Sequence, residues 1–559
     1  MLTRRDLLTA GAALALAGGP ARAQGDAAAR PTQAELLAFR PLGQVTLVHV
    51  TDLHAQMVPM HFREAGTNLG VGEARGQVPH LTGEALLARY RLARGSAMAH
   101  ALAETDFVTL ARRYGPMGGV DRIVTLIKAI RAERPGNTLV LDGGDTLQGS
   151  WTSLQTRGAD MVEVLRAFTA EATTGHWEFT YGTDRVKELV ASMPCPFLAG
   201  NVQDNEWNED VFEHTKFFDR GGVKVAVIGQ AFPYTPVANP RWMIPDWSFG
   251  IKEDKVRERV EAARADGAQL VVLLSHNGFD VDRKLAARVP GIDVILTGHT
   301  HDALPEPLRV GNTLLVASGC HGKFVSRLDL DVRGGRVADF RHALIPVFAD
   351  SIAPDAEAAA MVARLRAPYA QDLARVAGHT ETLLTRRGNI NGTMDDLICA
   401  ALLAERDAEI ALSPGFRWGY TLLPGSDITA EDVWAHTAIT YPAAYRNEMT
   451  GEQLKAVLED VADNLFNPDP YYQQGGDMVR TGGLSWTFDI NGPAGRRVQD
   501  LTLLRTGQPI EAARRYSVAG WASVNQGTEG PPVWDLVMRH LSHGPVRLQP
   551  NRDIRLKDA

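Results

Sequence analysis

The sequence predicts an α/β protein of two folded domains: a layered α/β domain with sheet at its centre, a connecting helix, then a second mixed α/β domain. Three observations predict it. The chain has 559 residues, more than one hydrophobic core ordinarily serves. Hydrophobic residues make up 45% and charged residues 22%, the usage of a soluble globular protein and not of a disordered polar chain or a membrane bundle. Short Val/Ile/Leu runs recur between helix-like segments at 45–50, 138–141, 196–199, 223–228, 270–274, 294–296 and 313–316. Continuous apolar runs, as opposed to alternation, mark strands buried on both faces, as in a sheet covered by helices.

In chain order, residues 1–23 read as a signal peptide. Thr3-Arg4-Arg5-Asp6-Leu7-Leu8 precedes an Ala/Gly/Leu stretch and Pro20-Ala21-Arg22-Ala23, and paired arginines before a weakly apolar core are similar to a twin-arginine signal. That address implies export to the periplasm after folding, which suits a protein that loads a cofactor in the cytoplasm. Past residue 24 no apolar run approaches the ~20 residues that span a bilayer, so no membrane contact is expected after signal removal. Residues 24–43 form an N-terminal extension and 44–345 the layered domain. Residues 346–376, Ala-rich with a helical apolar repeat, form the linking helix. The second domain occupies 377–559, with helices expected at 393–406 and 450–465 and strands at 485–489 and 498–504.

The formal net charge of −8 argues against a nucleic-acid-binding surface. Cys195, Cys320 and Cys399 are far apart with no CxxC spacing, which excludes a disulfide framework, a zinc ribbon and covalent haem.

Four strand-like runs end in unusual polar residues: Asp52-Leu53-His54, Asp142-Gly143-Gly144-Asp145, Ser275-His276-Asn277 and Gly298-His299-Thr300-His301. In open α/β sheets ligands bind beyond the carboxyl ends of the strands, so these tips are expected to converge on one crevice. A lone Asp-x-His or His-x-His is more often a loop hydrogen-bonding pair; the joint occurrence at four strand ends is the signal. Imidazole with carboxylate suits Mn, Fe or Zn, and so many ligands suit two ions sharing a bridging carboxylate. Glycines beside Asp145 and His299 let the backbone turn sharply after a strand.

The order Asp-x-His, Gly-Gly-Asp, Gly-x-x-Glu-Phe, Ser-His-Asn and Gly-His-Thr-His resembles the calcineurin-like metallophosphoesterases, and within them the 5′-nucleotidase branch, over nearly the whole mature chain. The resemblance implies an αββα metallophosphoesterase-like N-terminal domain and a 5′-nucleotidase-like C-terminal domain that supplies substrate contacts. It implies one metal on Asp52, His54 and His301, a second on His276, His299 and a middle-motif residue, and Asp145 bridging them. Such a pair generates hydroxide at neutral pH and clamps the attacked oxyanion.

The middle motif departs from that pattern. Nucleotidases read Gly-Asn-His-Glu-Phe-Asp-x-Gly; this chain reads Gly175-His176-Trp177-Glu178-Phe179-Thr180-Tyr181-Gly182. His176 keeps ligating chemistry through a neutral ring nitrogen. Trp177 and Thr180 stand where the family has its catalytic pair, and neither replaces an imidazolium, so phosphomonoester hydrolysis should be compromised. This segment, with Asp52-Leu53-His54-Ala55-Gln56 and the twin-arginine signal, is similar to the SoxB family of dimanganese thiosulfohydrolases in the periplasmic sulfur-oxidation (Sox) system. That resemblance implies a substrate: a cysteine S-thiosulfonate, Cys-S-S-SO3⁻, on a SoxYZ-type carrier protein, from which the terminal sulfone leaves as sulfate. It also implies two Mn2+, although the ligands alone suit Fe or Zn equally. Metal-bound hydroxide would attack the sulfone sulfur, with Asp145, His276 and Asn277 in catalytic roles and Trp177 at the substrate. A persulfide anion leaves far more readily than an alkoxide, so a general acid adds little.

In the second domain, Ser413-Pro414-Gly415-Phe416-Arg417-Trp418 matches the arginine turn of the nucleotidase branch, and Arg417 can clamp a sulfonate through two donors. Tyr441, Tyr445, Tyr471, Tyr472 and Trp486 are available to stack a base. Asp395, Asp396 and Asp463 read as solvated charges, and Cys320 and Cys399 as inert buried thiols. His321 reads as a structural residue within reach of the crevice. Two alternatives make different predictions. A 5′-nucleotidase or related phosphoesterase releases phosphate from nucleotides, and a metal-bearing binding protein lacks hydroxide-forming ligands.

Overall fold

The computed structural model describes residues 29–557. The signal peptide expected over 1–23, and residues 24–28 of the extension, lie outside the described residues. Two sheets build the N-terminal domain. One runs in the order Arg336–Pro346, Phe324–Arg333, Val45–Val50, Thr138–Asp142. The other runs Thr215–Arg220, Val223–Gln230, Leu270–Ser275, Val294–Thr297, Thr313–Ala317, Leu308–Val310. Val45–Val50 and Thr138–Asp142 are parallel, as are the four central strands of the second sheet, so their carboxyl ends share an edge.

The apolar runs are continuous because each face of each sheet is covered. Leu47, Leu139, Leu141, Val227, Leu274 and Leu296 meet in a core between the sheets. Val48, Val50 and Val140 point outward onto helices Val120–Glu133 and Ala159–Ala167. Ile228, Val271, Leu273 and Ile295 cover helices Glu253–Ala265 and Phe279–Arg288. The layers are therefore helix, sheet, sheet, helix. Each buried Val, Leu or Ile contributes about 1.5–3 kcal/mol, and a one-residue slip would exchange the two faces of a strand.

Two expected elements are corrected, and one hairpin was not anticipated. Residues 196–199 carry no ladder: Phe197 and Leu198 make only isolated bridges, to Thr173 and Glu213, and Pro196 has no N–H to donate. The domain closes with a hairpin, Phe324–Arg333 against Arg336–Pro346, turned at Gly334 and Gly335 with φ of 56° and 72°; paired left-handed glycines are the hairpin signal. The linking segment is not one helix. It is Ala356–Arg366, then Ala367–Tyr369, then Ala370–Leu373, broken where Pro368 removes a donor and crowds the preceding turn.

In the second domain, strands Tyr445–Thr450, Arg515–Gly520, Ile410–Ser413 and Arg480–Gly482 form one sheet, and helices Thr393–Glu405, Ala430–Thr437 and Val533–Leu541 share its core. A second sheet of Gln508–Pro509, Val498–Leu503, Leu484–Phe488 and Ile554–Leu556 packs with helix Gly451–Leu465. Asp395 is not solvated: it is buried between Arg386 at 2.9 Å and Arg480 at 3.1 Å, because the helix start carries it inward to two buried cations. Trp177 of the first domain belongs to the same core as Trp418, Trp434 and Tyr441 of the second. Among the described residues no helix is long and apolar enough to cross a membrane.

Candidate metal centre

The strand tips bend abruptly. Asp52, His54, Asp145, His299 and His301 have φ of 51°, 48°, 58°, 74° and 60°, a left-handed region that non-glycine residues enter mainly where the surroundings impose it, often at functional sites. Gly298 lets the tips close on one another. A Cβ there would lie 2.6 Å from Thr51 Oγ1, 2.9 Å from His276 Nδ1 and 3.0 Å from Asp52 Oδ2.

Asp52, His54, Asp145, His176, His276, His299 and His301 are all buried and fall into two groups. Asp52, His54, Asp145 and His301 offer ligand atoms within 4.8 Å of one another, and so do His176, His276 and His299. Asp145 joins the groups. Its Oδ2 is 3.4 Å from His54 Nε2, 3.1 Å from His176 Nδ1 and 3.5 Å from His276 Nε2. Asp52 Oδ1 is 3.3 Å from His301 Nε2 and 3.6 Å from His276 Nε2, and His54 Nε2 faces His301 Nε2 at 3.0 Å. Ligands about 2.1 Å from one ion stand roughly 3.0–3.4 Å from each other, and most of these spacings are of that size.

The outer partners fix which nitrogen is free. His276 Nδ1 donates to Gly143 O at 2.7 Å and His299 Nε2 to Gln474 O at 2.7 Å, leaving His276 Nε2 and His299 Nδ1 as lone-pair donors. Burial pushes His299 and His301 well below the ordinary imidazole range, reinforced by neighbouring imidazoles, and pushes His176 down to about 4. Burial alone would raise Asp145, yet the imidazoles of His54 and His176 hold it well below the ordinary carboxylate range. Burial also opposes a charge on His276, but Asp52 and Asp145 pull it up to about 9; a divalent cation among the same groups would displace that proton.

The residues fit a metal pair. His176 Nε2 and His276 Nε2 are buried without a hydrogen-bond partner, and the facing nitrogens of His54 and His301 crowd lone pairs beside two carboxylates. Five imidazoles and two carboxylates are the donor set of Mn, Fe or Zn.

A cavity of about 110 Å³ opens onto the centre between the domains, walled by Trp177, Phe232, Phe416 and Trp418. Arg417 reaches it with three anchors: Nε donates to Asp477 Oδ1 at 3.2 Å, Nη1 to Thr300 O at 2.9 Å and Nη2 to Gly476 O. One N–H on each terminal nitrogen stays available. Asn277 is not brought into this cavity. Its Nδ2 donates to Asp282 Oδ1 at 3.0 Å, and it lines a neighbouring cavity on the other side of Arg417. His321 stands behind the ligands, its ring 5.3 Å from that of His54, and accepts from the Gly419 N–H at 3.2 Å.

None of the five expected aromatics lines this cavity. Trp486 is in the core and Tyr472 is exposed, and Tyr471 lies under Lys284. Phe416 and Trp418 stack on each other at 4.1 Å, and Trp177 and Tyr441 are parallel at 6.2 Å. A base between two rings needs roughly 7 Å, twice the carbon–carbon contact distance.

Two site residues escaped the sequence reading. Glu178 was visible in the motif without a role; it accepts from the N–H groups of Thr146, Leu147 and His176 at 2.8, 3.1 and 2.6 Å. Arg387 is a buried second cation beside His301, signalled only by the Arg386-Arg387-Gly388 turn.

Comparison with known proteins agrees with this geometry. Residues 45–303 match the calcineurin-like phosphoesterase family and 376–535 the 5′-nucleotidase C-terminal domain. The 5′-nucleotidase of Mus musculus is 23% identical over 76% of this chain and 80% of its own length. A 5′-nucleotidase precursor from Thermus thermophilus superposes with a TM-score of 0.73 at 22% identity, covering 92% of this chain and all of that one. The sulfate thiohydrolase SoxB of Thermus thermophilus, solved with glycerol, superposes with a TM-score of 0.90 at 37% identity, covering 93% of this chain and 98% of that one. With that identity over nearly its whole length, the chain belongs to the SoxB family, built on the 5′-nucleotidase form of the calcineurin-like phosphoesterase fold.

Proposed function

We propose that this metal-dependent hydrolase releases sulfate from a cysteine S-thiosulfonate carried by a SoxYZ-type protein of the periplasmic Sox system, using two Mn2+. One observation carries the reading: the ligand set for two metals is complete while the position of the phosphoesterase acid is filled by Trp177, buried against Trp418 with ring centroids 4.5 Å apart. A centre without a proton donor suits a leaving group that needs none, and a persulfide is such a group. The likeness to the Thermus sulfate thiohydrolase supports the same substrate chemistry.

When bound, the metal pair supplies a nucleophile at neutral pH and positive charge against the transferred oxygens. Asp52, His54 and His301 would hold one ion, His176, His276 and His299 the other, with Asp145 shared between them. Arg417, held on three sides, directs its two remaining donors at sulfonate oxygens that gain charge in the transition state. Trp177, Phe416 and Trp418 exclude water from the S–S bond. Export by the twin-arginine route would deliver the folded, loaded enzyme to its carrier protein. The deciding experiment offers the purified protein a thiosulfonated cysteine peptide and a nucleoside monophosphate in parallel. Sulfate release with phosphate at background is expected; phosphate without sulfate would overturn the reading.

A further inference from the structure

Metal-ligating side chains also gather at the surface of the second domain, where the carboxyl ends of two helices meet. Helix Thr393–Glu405 ends on Glu405, and helix Val533–Leu541 carries His540 in its last turn. Beyond that turn the backbone coils once more: the Ser542 N–H donates to Arg539 O at 3.1 Å and the His543 N–H to His540 O at 3.2 Å. Residues three apart on such a coil are neighbours on one face, so His543 stands beside His540, their ring centroids 6.1 Å apart. Glu405, His540 and His543 each offer a ligand atom within 4.8 Å of the other two.

The carboxylate is held with one oxygen to spare. Glu405, its side chain 9% exposed, accepts from Arg539 Nη1 through Oε2 at 3.5 Å, while Oε1 is 4.0 Å from His543 Nδ1. An outer donor on one oxygen is a common way to orient a ligating carboxylate. His540 Nδ1 is enclosed by the protein and makes no hydrogen bond. Each helix also ends in carbonyl groups without intrahelical partners and in the negative end of its dipole. The two ends and the carboxylate therefore favour a positive charge between them. Two imidazoles and one carboxylate are the protein ligands of a zinc site with an open fourth position, and other late first-row divalent ions accept the same donors. Ligands of one zinc stand about 3.4 Å apart. The spacing here is wider, and His543, its side chain 65% exposed, has room to close it by rotating.

We infer that Glu405, His540 and His543 bind one zinc-class divalent cation, separate from the buried centre, and that the ion ties the ends of the two helices together. None of the three residues lines the inter-domain cavity, so this site stands or falls apart from the proposed function.

The test uses the full-length protein without a polyhistidine tag, loaded with Mn2+ and then dialysed against a range of free Zn2+. The wild type should hold one zinc per chain more than His543→Ala or Glu405→Gln at the same free concentration, each variant binding at this site at least about tenfold more weakly. Exchange of zinc into the buried centre is common to all three proteins and cancels in the comparison. A ligand that binds only the folded chain raises its melting temperature, so added Zn2+ should raise that of the wild type more than that of either variant. Equal zinc content in the wild type and His543→Ala overturns the inference, as does a loss in one variant and not the other. A difference in zinc content with equal melting shifts overturns it too, because the ion then ties nothing together.

Discussion

At the scale of single residues, Asp145 decides whether there are two metal sites or one. Its Oδ2 approaches His54, His176 and His276 at 3.4, 3.1 and 3.5 Å, so one oxygen borders both ligand groups. Asp145→Asn preserves shape and removes the charge that both cations would share. The variant should purify with fewer than two metals per chain by elemental analysis and lose sulfate release by at least about a hundredfold, the upper end of what losing an outer-shell partner costs. Two metals and full activity in that variant would remove Asp145 from the centre. Six of the seven candidate ligands were legible in the sequence because each closely follows an apolar run; His176 follows none and was legible only through the resemblance of the middle motif. The role of Glu178 was not legible, because a carboxylate in a loop has no periodicity, and its role depends on partners that only the folded chain supplies.

At the scale of elements, the centre depends on loops being locked together beyond their strands. Glu178 does this for the middle motif: Oε1 accepts from Thr146 and Leu147 on the Asp145 loop, and Oε2 accepts from the His176 N–H. Burial raises its carboxyl to about 7. In Glu178→Gln one oxygen becomes an NH2 that faces an N–H, so one side of the clasp opens. We expect a loss of about 1–3 kcal/mol in unfolding free energy and a 10–100-fold weaker affinity for one metal of the pair, the one His176 would hold, by metal titration. The other metal should bind as before. Equal weakening of both would mean that Glu178 steadies the whole crevice and not one loop. The parallel strands beneath these loops were legible because burial on both faces demands unbroken apolar runs. The Phe324–Arg333 and Arg336–Pro346 hairpin was passed over because its outer strand is largely uncovered and polar. Residues 196–199 were overread because apolar character alone does not provide a neighbour to pair with.

At the scale of the molecule, a chain of net charge −8 is proposed to take an anion, so attraction must come from the metals and from Arg417 inside a cavity that neither domain forms alone. That cavity was not legible, since Trp177 and the Phe416–Trp418 pair meet only when distant segments dock. Docking and layering also bury histidines that have no part in the centre, and these make stability depend on pH. His100, packed among Phe107, Tyr114 and Phe348, is pushed down to about 3 by burial, with Lys323 adding to it. His342 is pushed down to about 4 by burial. As pH falls below 6.5 the unfolded imidazole takes up a proton that the folded one refuses until near 3 or 4. Their contribution is therefore complete above pH 6.5 and lost progressively below it. Buried carboxylates such as Asp160 and Asp282, raised to about 6 chiefly by burial, act in the opposite direction, so the total curve does not isolate one group. A comparison with His100→Phe does, because phenylalanine fills the same aromatic pocket without titrating. Between pH 7 and pH 5 the wild type should lose about 2 kcal/mol more than the variant in urea-unfolding free energy. A difference between the two proteins that stays constant across that range would mean that His100 takes up its proton in the pocket as readily as in the unfolded chain, and that burial there does not exclude the charge.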